Sequence, residues 1–277
     1  MDVPLLREIG VGGLVVPYLE VGDPTGPPVV MIPGLTDGLG PVSLPRTREL
    51  FTALPLPIER VRGLVVSHRD PVVAPVTTRQ LAADIAATLR QLLDQPAILV
   101  CHSMGGMVAQ HLAADHPELV RGLVLTATAA VSDARVAAVL ARWQALVVAH
   151  RFDDFVAAAV GDSFPEPEGS RRVADVRRDP PPHPPIELVD RHVALTAACA
   201  GHDARDRLAA IRQPALVVAG TRDAVIPIDL ARQLAAGLPD ARLVELDGLG
   251  HGFPDQDPVR FERHVVPFVD QLLAGGS

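Results

Sequence analysis

Short, largely apolar runs alternate along the chain with stretches whose apolar residues recur at helical spacing. Runs at 29–32, 61–66, 98–101, 121–126, 214–220 and 242–246 have the length and composition of strands buried on both faces. Between them, Leu81, Ile85, Leu89 and Leu92 follow the capping box Thr77-Thr78-Arg79-Gln80, which predicts a helix reaching Leu93. Further helices are predicted over 46–53, from Met107 to about His116, up to Gly237, and from Pro258 with Asp257 as its N-cap. In that last helix Pro267 predicts a kink or a restart. Residues 5–22, interrupted by Gly10, Gly12 and Gly13, predict two antiparallel strands at a sheet edge, where Pro17 suits an edge strand. Strand–helix alternation of this kind specifies a mostly parallel α/β sheet with right-handed crossovers.

The alternation breaks between 130 and 208. Val136, Val139, Leu140, Trp143, Leu146 and Val147 keep a helical period, while Phe164-Pro165-Glu166-Pro167 and the proline run at 180–185 predict extended connectors. The expected division is therefore a core of residues 1–129 and 209–277 with a helical insertion at 130–208. Trp143, Phe152, Phe155 and Phe164 of the insertion read mainly as core, with one or two facing a ligand. Its arginines read mostly as solvated surface.

With 277 residues and 48% hydrophobic content, the chain can bury a large core and is not a disordered sequence. The net charge of −8, with acids and arginines intermixed and no basic patch, argues against nucleic acid as a partner. No basic segment leads into a long apolar core at the start, and no uncharged run approaches the ~20 residues of a membrane span, so neither a signal peptide nor a membrane partner is expected. Two cysteines, Cys101 and Cys199, are too few for a disulfide framework, and a cytoplasmic location fits them. Oligomeric state is not legible.

The chemistry centres on Ile98-Leu99-Val100-Cys101-His102-Ser103-Met104-Gly105-Gly106-Met107. An apolar strand ends at a serine, and two glycines open a helix. Such a turn strains its central residue and exposes the side-chain oxygen above the sheet. This stretch resembles the nucleophile elbow of the α/β-hydrolases, G-x-S-x-G, with Cys101 in place of the first glycine. Pro33-Gly34-Leu35 resembles the H-G-x loop of that family with proline in place of histidine. Thr221-Arg222-Asp223 resembles its acid loop and Gly250-His251-Gly252-Phe253 its histidine loop. The order Ser, Asp, His is the one this fold uses.

The resemblance implies an eight-stranded α/β-hydrolase fold with a helical cap, and a triad of Ser103, Asp223 and His251. It also implies an oxyanion hole formed by the backbone amides of Leu35 and Met104, with no cofactor and no metal. The rivals to Asp223 are Asp247 and Asp229. Strand alternation aims His102 away from the serine, and His68, in the Ser67-His68-Arg69-Asp70-Pro71 stretch, reads as a surface-loop histidine more readily than a pocket residue. The implied activity is hydrolysis of a small carboxylic ester or lactone through an acyl-enzyme. Same-fold alternatives are C–C bond hydrolysis, perhydrolysis of the haloperoxidase-like kind and acyl transfer. A non-catalytic ligand-binding protein on the same fold is the rival from another class. A dinucleotide-binding domain is set aside, because no G-x-G-x-x-G follows a strand.

Overall fold

The computed structural model describes residues 5–40 and 59–275; the helix expected over 46–53 lies outside them. Strands β1 (Leu5–Val11) and β2 (Leu14–Gly22) form a hairpin, followed by β3 (Pro28–Met31), a 3₁₀ turn at Leu35–Leu39, and β4 (Arg62–Val66). Helix α1 (Thr78–Leu92), β5 (Ala97–His102), α2 (Met104–Asp115) and β6 (Val120–Thr126) complete the first half. Four consecutive helices then interrupt the alternation: α3 (Ala134–Val148), α4 (Phe152–Ser163), α5 (Glu168–Arg178) and α6 (Leu188–Ala200). The sheet resumes with β7 (Ala215–Gly220), α7 (Ile228–Gly237), β8 (Ala241–Leu246), the short α8 (Phe253–Gln256) and α9 (Pro258–Ala274).

The eight strands lie in the order β1-β2-β4-β3-β5-β6-β7-β8. β1 and β2 are antiparallel to their neighbours, and every pairing from β4 through β8 is parallel. β2 is thus the second strand and not the edge. Pro17 is tolerated because the β2–β4 ladder runs only from Tyr18 to Gly22. Just beyond it, the Pro17 carbonyl accepts the Ser67 N–H at 3.0 Å.

The central strands are buried on both faces, which explains their unbroken apolar composition. In β5, Leu99 and Cys101 join the core beneath α1 and α2, while Ile98 and Val100 join the one that includes Phe261, Val265 and Val269 of α9. The Thr77–Gln80 capping box forms in both directions, and Leu81, Ile85 and Leu89 are the buried face of α1. Asp257 caps α9 by accepting the Arg260 N–H. Helix α9 continues through Pro267 to Ala274 in place of the expected kink or restart. Its buried Phe261, Val265 and Val269 hold it on the sheet across the lost hydrogen bond.

Candidate active site

Strand β5 delivers Ser103 to the carboxyl end of the sheet, where ligands bind in open α/β folds. Ser103 is a non-glycine residue at φ 56°, ψ −127°, a conformation that persists only where the surroundings enforce it. Three contacts enforce it here. The Ser103 N–H donates to the Thr126 carbonyl at 2.9 Å, and the Ser103 carbonyl accepts from Gly106 (2.9 Å) and Met107 (3.3 Å). A β-carbon on Gly105 would be driven into the Ile32 carbonyl, so only glycine lets the helix start this close to β3. The first glycine of the motif is dispensable: Cys101 is accommodated within the core beside α2. There burial pushes its thiol up to about 12.

A serine preceding a helix ordinarily caps it by accepting an N–H from the first turn. Ser103 makes no such bond. Its Oγ lies 3.1 Å from His251 Nε2, and His251 Nδ1 lies 2.8 Å from Asp223 Oδ2. The Asp223 side chain is fully shielded from solvent. Its other oxygen accepts the N–H groups of Val225 (2.8 Å) and Ile226 (2.7 Å), which lock the carboxylate in the loop after β7. The two rival aspartates are elsewhere. Asp247 accepts from Thr221 on an exposed turn, and Asp229 pairs with Arg135.

The glycines flanking His251 have a packing reason. The Gly252 N–H donates to the Ser163 carbonyl at 3.0 Å. Any β-carbon on Gly250 would meet that carbonyl and Pro165, and one on Gly252 would enter the Phe164 ring. The end of α4 therefore rests directly on the histidine loop. Gly34 plays the corresponding part opposite. A β-carbon there would lie 3.3 Å from the His102 carbonyl and 3.5 Å from Ser103 Cβ, so the turn after β3 packs on the elbow. Leu35 and Met104 are the first residues of a 3₁₀ turn and of α2 respectively, positions whose N–H groups have no acceptor within their own helix.

A cavity of about 450 Å³ opens beside Ser103 and His251. Its lining includes Ile32, Leu35, Leu39, Trp143, Phe155, Phe164 and Phe261, with the exposed Asp255 at the margin. Of the four aromatic residues expected in the insertion's core, Trp143, Phe155 and Phe164 line this cavity, while Phe152 is buried away from it. Trp143 Nε1 donates to Asp162 at 2.8 Å, which fixes the indole. Such a lining suits an apolar group next to a few polar atoms that fix orientation.

One histidine reading changes, and a second gains a partner. His68 is buried, not on the surface, and it lies beside Asp37, Arg191 and the Pro33 backbone. Burial holds its pKa below the ordinary histidine range. His102 does point to the α9 face, as alternation requires, but the histidine loop occupies that face. Its ring centroid lies 5.0 Å from that of His251 and 6.0 Å from Phe253. Burial and the neighbouring His251 lower its pKa to about 3, and its Nδ1 lies 3.0 Å from Thr126 Oγ1. His102 thus supports the His251 ring as a neutral neighbour.

Two other buried rings should add to the acid sensitivity of the fold. His192 and His202 are 1% exposed, and burial lowers their pKa values to about 4 and about 3. Below the unfolded value of about 6.5 the unfolded chain binds protons that the folded chain refuses, so stability falls as pH drops towards those folded values. At pH 5 each ring should cost about 2 kcal/mol relative to pH 7. Urea unfolding at the two pH values measures this; a midpoint that does not move would show that neither ring stays neutral.

The model of the alpha/beta hydrolase fold matches residues 27–258. The chain belongs to this family. A protein named as a carbamate hydrolase, RutD, from Azorhizobium caulinodans is 25% identical over 272 residues, covering 92% of this chain and 99% of that one. A pimeloyl-acyl-carrier-protein methyl ester esterase from Chromobacterium violaceum is 32% identical over 210 residues, covering 72% and 77%. The crystal structure of MGS-M2, an alpha/beta hydrolase from a Medee basin deep-sea metagenome library, superposes with a TM-score of 0.83 at 17% identity, covering 95% and 97%. The protein is accordingly an enzyme of the α/β-hydrolase type, and its eight-stranded sheet is the one this fold prescribes. No described helix is long and apolar enough to cross a membrane.

Proposed function

We propose that this enzyme is a serine hydrolase that cleaves a small carboxylic ester or lactone through an acyl-enzyme. The observation that carries the reading is the Ser103 hydroxyl, which makes no helix-capping bond and sits 3.1 Å from a histidine backed by a buried aspartate. A serine hydroxyl is a weak nucleophile until a base takes its proton during attack. His251 is that base. It receives the proton on Nε2 as Ser103 Oγ bonds to the carbonyl carbon, and then returns it to the leaving alkoxide as the C–O bond breaks. Asp223 holds Nδ1–H and stabilises the imidazolium. A water activated by the same histidine then releases the acid and restores the serine.

The charge that develops on the carbonyl oxygen needs donors already in place. The amides of Leu35 and Met104 supply them in this mechanism. The helices of residues 130–208 act as the cap, with Trp143 and Phe155 lining the cavity beside Ser103. The lining favours an apolar acyl group. The buried free thiols of Cys101 and Cys199 fit a reducing, cytoplasmic setting.

An alkyl fluorophosphonate tests the reading, because it phosphonylates a serine that a neighbouring base activates. Intact-mass analysis should show one adduct on the folded protein and none on Ser103→Ala or on heat-denatured protein. A folded wild-type chain that takes no adduct would overturn the proposal and leave the non-catalytic binding role.

A further inference from the structure

Among the helices of the insertion, α6 carries a charge where none is expected. The Arg191 side chain is 3% exposed and pairs with Asp37, whose side chain is 1% exposed, at 2.6 Å. The guanidinium reaches two segments at once, the turn after β3 and the loop after β4. Nη2 donates to Asp37 Oδ2 and, at 3.0 Å, to the His68 carbonyl; Nη1 donates to the Arg69 carbonyl at 2.6 Å; Nε donates to the Asp37 carbonyl at 3.1 Å. The Asp37 carboxylate also accepts the Ser67 hydroxyl and the His68 N–H. Asp37 in turn closes the 3₁₀ turn, its N–H donating to the Gly34 carbonyl at 3.1 Å. Leu35 lies inside that turn, facing the cavity. Gly38 seats α6 against it: a β-carbon there would lie 2.9 Å from His192 Nδ1 and 3.0 Å from His192 Cα.

We propose that Arg191 and Asp37 are a positioning pair that fixes the turn after β3 so that the Leu35 amide is held at the site of the developing oxyanion. The proposal rests on the serine-hydrolase reading above. A buried ion pair contributes little net stability compared with apolar residues of the same volume. What it does supply is geometry. A planar fork bonded to three carbonyls and a carboxylate leaves the turn no freedom to slide, and oxyanion donors act only when held within a fraction of an ångström. The pair also makes α6 a part of the catalytic scaffold. Neither residue touches the substrate in this scheme; both act through the backbone of Leu35.

The test uses two variants of the full chain. Arg191→Lys keeps the charge but loses the fork, and Asp37→Asn/Arg191→Gln removes both charges together, leaving no unpaired ion should the single variant fail to fold. Each is assayed with an apolar p-nitrophenyl ester and with an alkyl boronic acid, whose boron becomes tetrahedral on Ser103 Oγ. The expected result is a kcat lowered by about 10- to 100-fold, somewhat less than outright loss of one oxyanion donor. KM should stay within about threefold, because the donor acts on the transition state and not on the ground state. The inhibition constant of the boronic acid should rise by the same factor as kcat falls.

A merely structural bridge would lower the unfolding midpoint and leave kcat and boronate affinity of the folded variants unchanged, and that result overturns the proposal. A wild-type chain that labels with the fluorophosphonate while the variants keep full kcat sinks this inference alone. A wild-type chain that neither labels nor turns over esters sinks the serine-hydrolase reading, and this inference with it.

Discussion

Replacing Ser103 by alanine is expected to lower kcat for ester hydrolysis by about 10⁶-fold while leaving KM within a few-fold, because a triad acts as a unit and losing its nucleophile forfeits nearly all of its contribution. The fold should survive the change. Ser103 Oγ bonds to no backbone N–H of α2, so its loss uncaps nothing. The positive φ is imposed by Thr126, Gly106, Met107 and the close approach of Ile32, all of which remain. A residual rate of about 10³–10⁴ over water is compatible with the prediction, since donors and binding persist without the nucleophile. The measurement is steady-state hydrolysis of a p-nitrophenyl ester alongside urea unfolding. A variant that unfolds at the same urea concentration and retains more than about a hundredth of wild-type kcat would remove Ser103 from the mechanism.

Much of this site was legible in the chain because its chemistry is bound to local backbone rules. A strand that ends at a serine followed by two glycines has few conformations available, and the close contact between Gly105 and Ile32 shows why. The glycines around His251 carried the same kind of information, as the end of α4 packs against them. Alternation placed every strand of the sheet, but it misjudged the rank of β2. Pro17 cannot donate to a ladder, and the chain meets that rule by pairing it with Glu8 of β1 and starting the β2–β4 ladder one residue later, at Tyr18.

What escaped were contacts between residues far apart in sequence. Arg191 sits 154 positions from Asp37, and nothing local separates it from the exposed arginines of the same insertion. One signal was available: Arg191 shares its helix face with the buried Ala194, Leu195 and Ala198, and a charge on such a face has to be partnered. His68 is a comparable case. Its loop is polar, yet the ring is buried next to the turn that Asp37 closes. His102 followed its strand's alternation, but the partner that awaits it is supplied by a loop about 150 residues later, which no period reveals.

Replacing Asp223 by asparagine should lower kcat by about 10⁴-fold with little change in KM, the loss expected when the histidine is held in the wrong tautomer. The direction follows from the two backbone donors in the loop. Val225 N–H and Ile226 N–H both point at Asp223 Oδ1, so an asparagine must place its carbonyl oxygen there and turn its NH₂ towards His251. That NH₂ donates to Nδ1, which then has to be the unprotonated nitrogen. The proton moves to Nε2, the atom facing Ser103 at 3.1 Å, and the imidazole can no longer accept the serine proton. The change is nearly isosteric, so the cavity and the elbow keep their shape and the variant should still bind substrate. Nitrogen-15 chemical shifts of His251 report the tautomer directly and should exchange the characters of Nδ1 and Nε2 between wild type and variant. A loss of less than about tenfold, with the tautomer unchanged, would mean that something other than the Asp223 carboxylate orients the imidazole. His102 is the ring nearest to it, but its Nδ1 faces Thr126 and burial keeps it neutral, so it offers His251 no charge to replace the one removed.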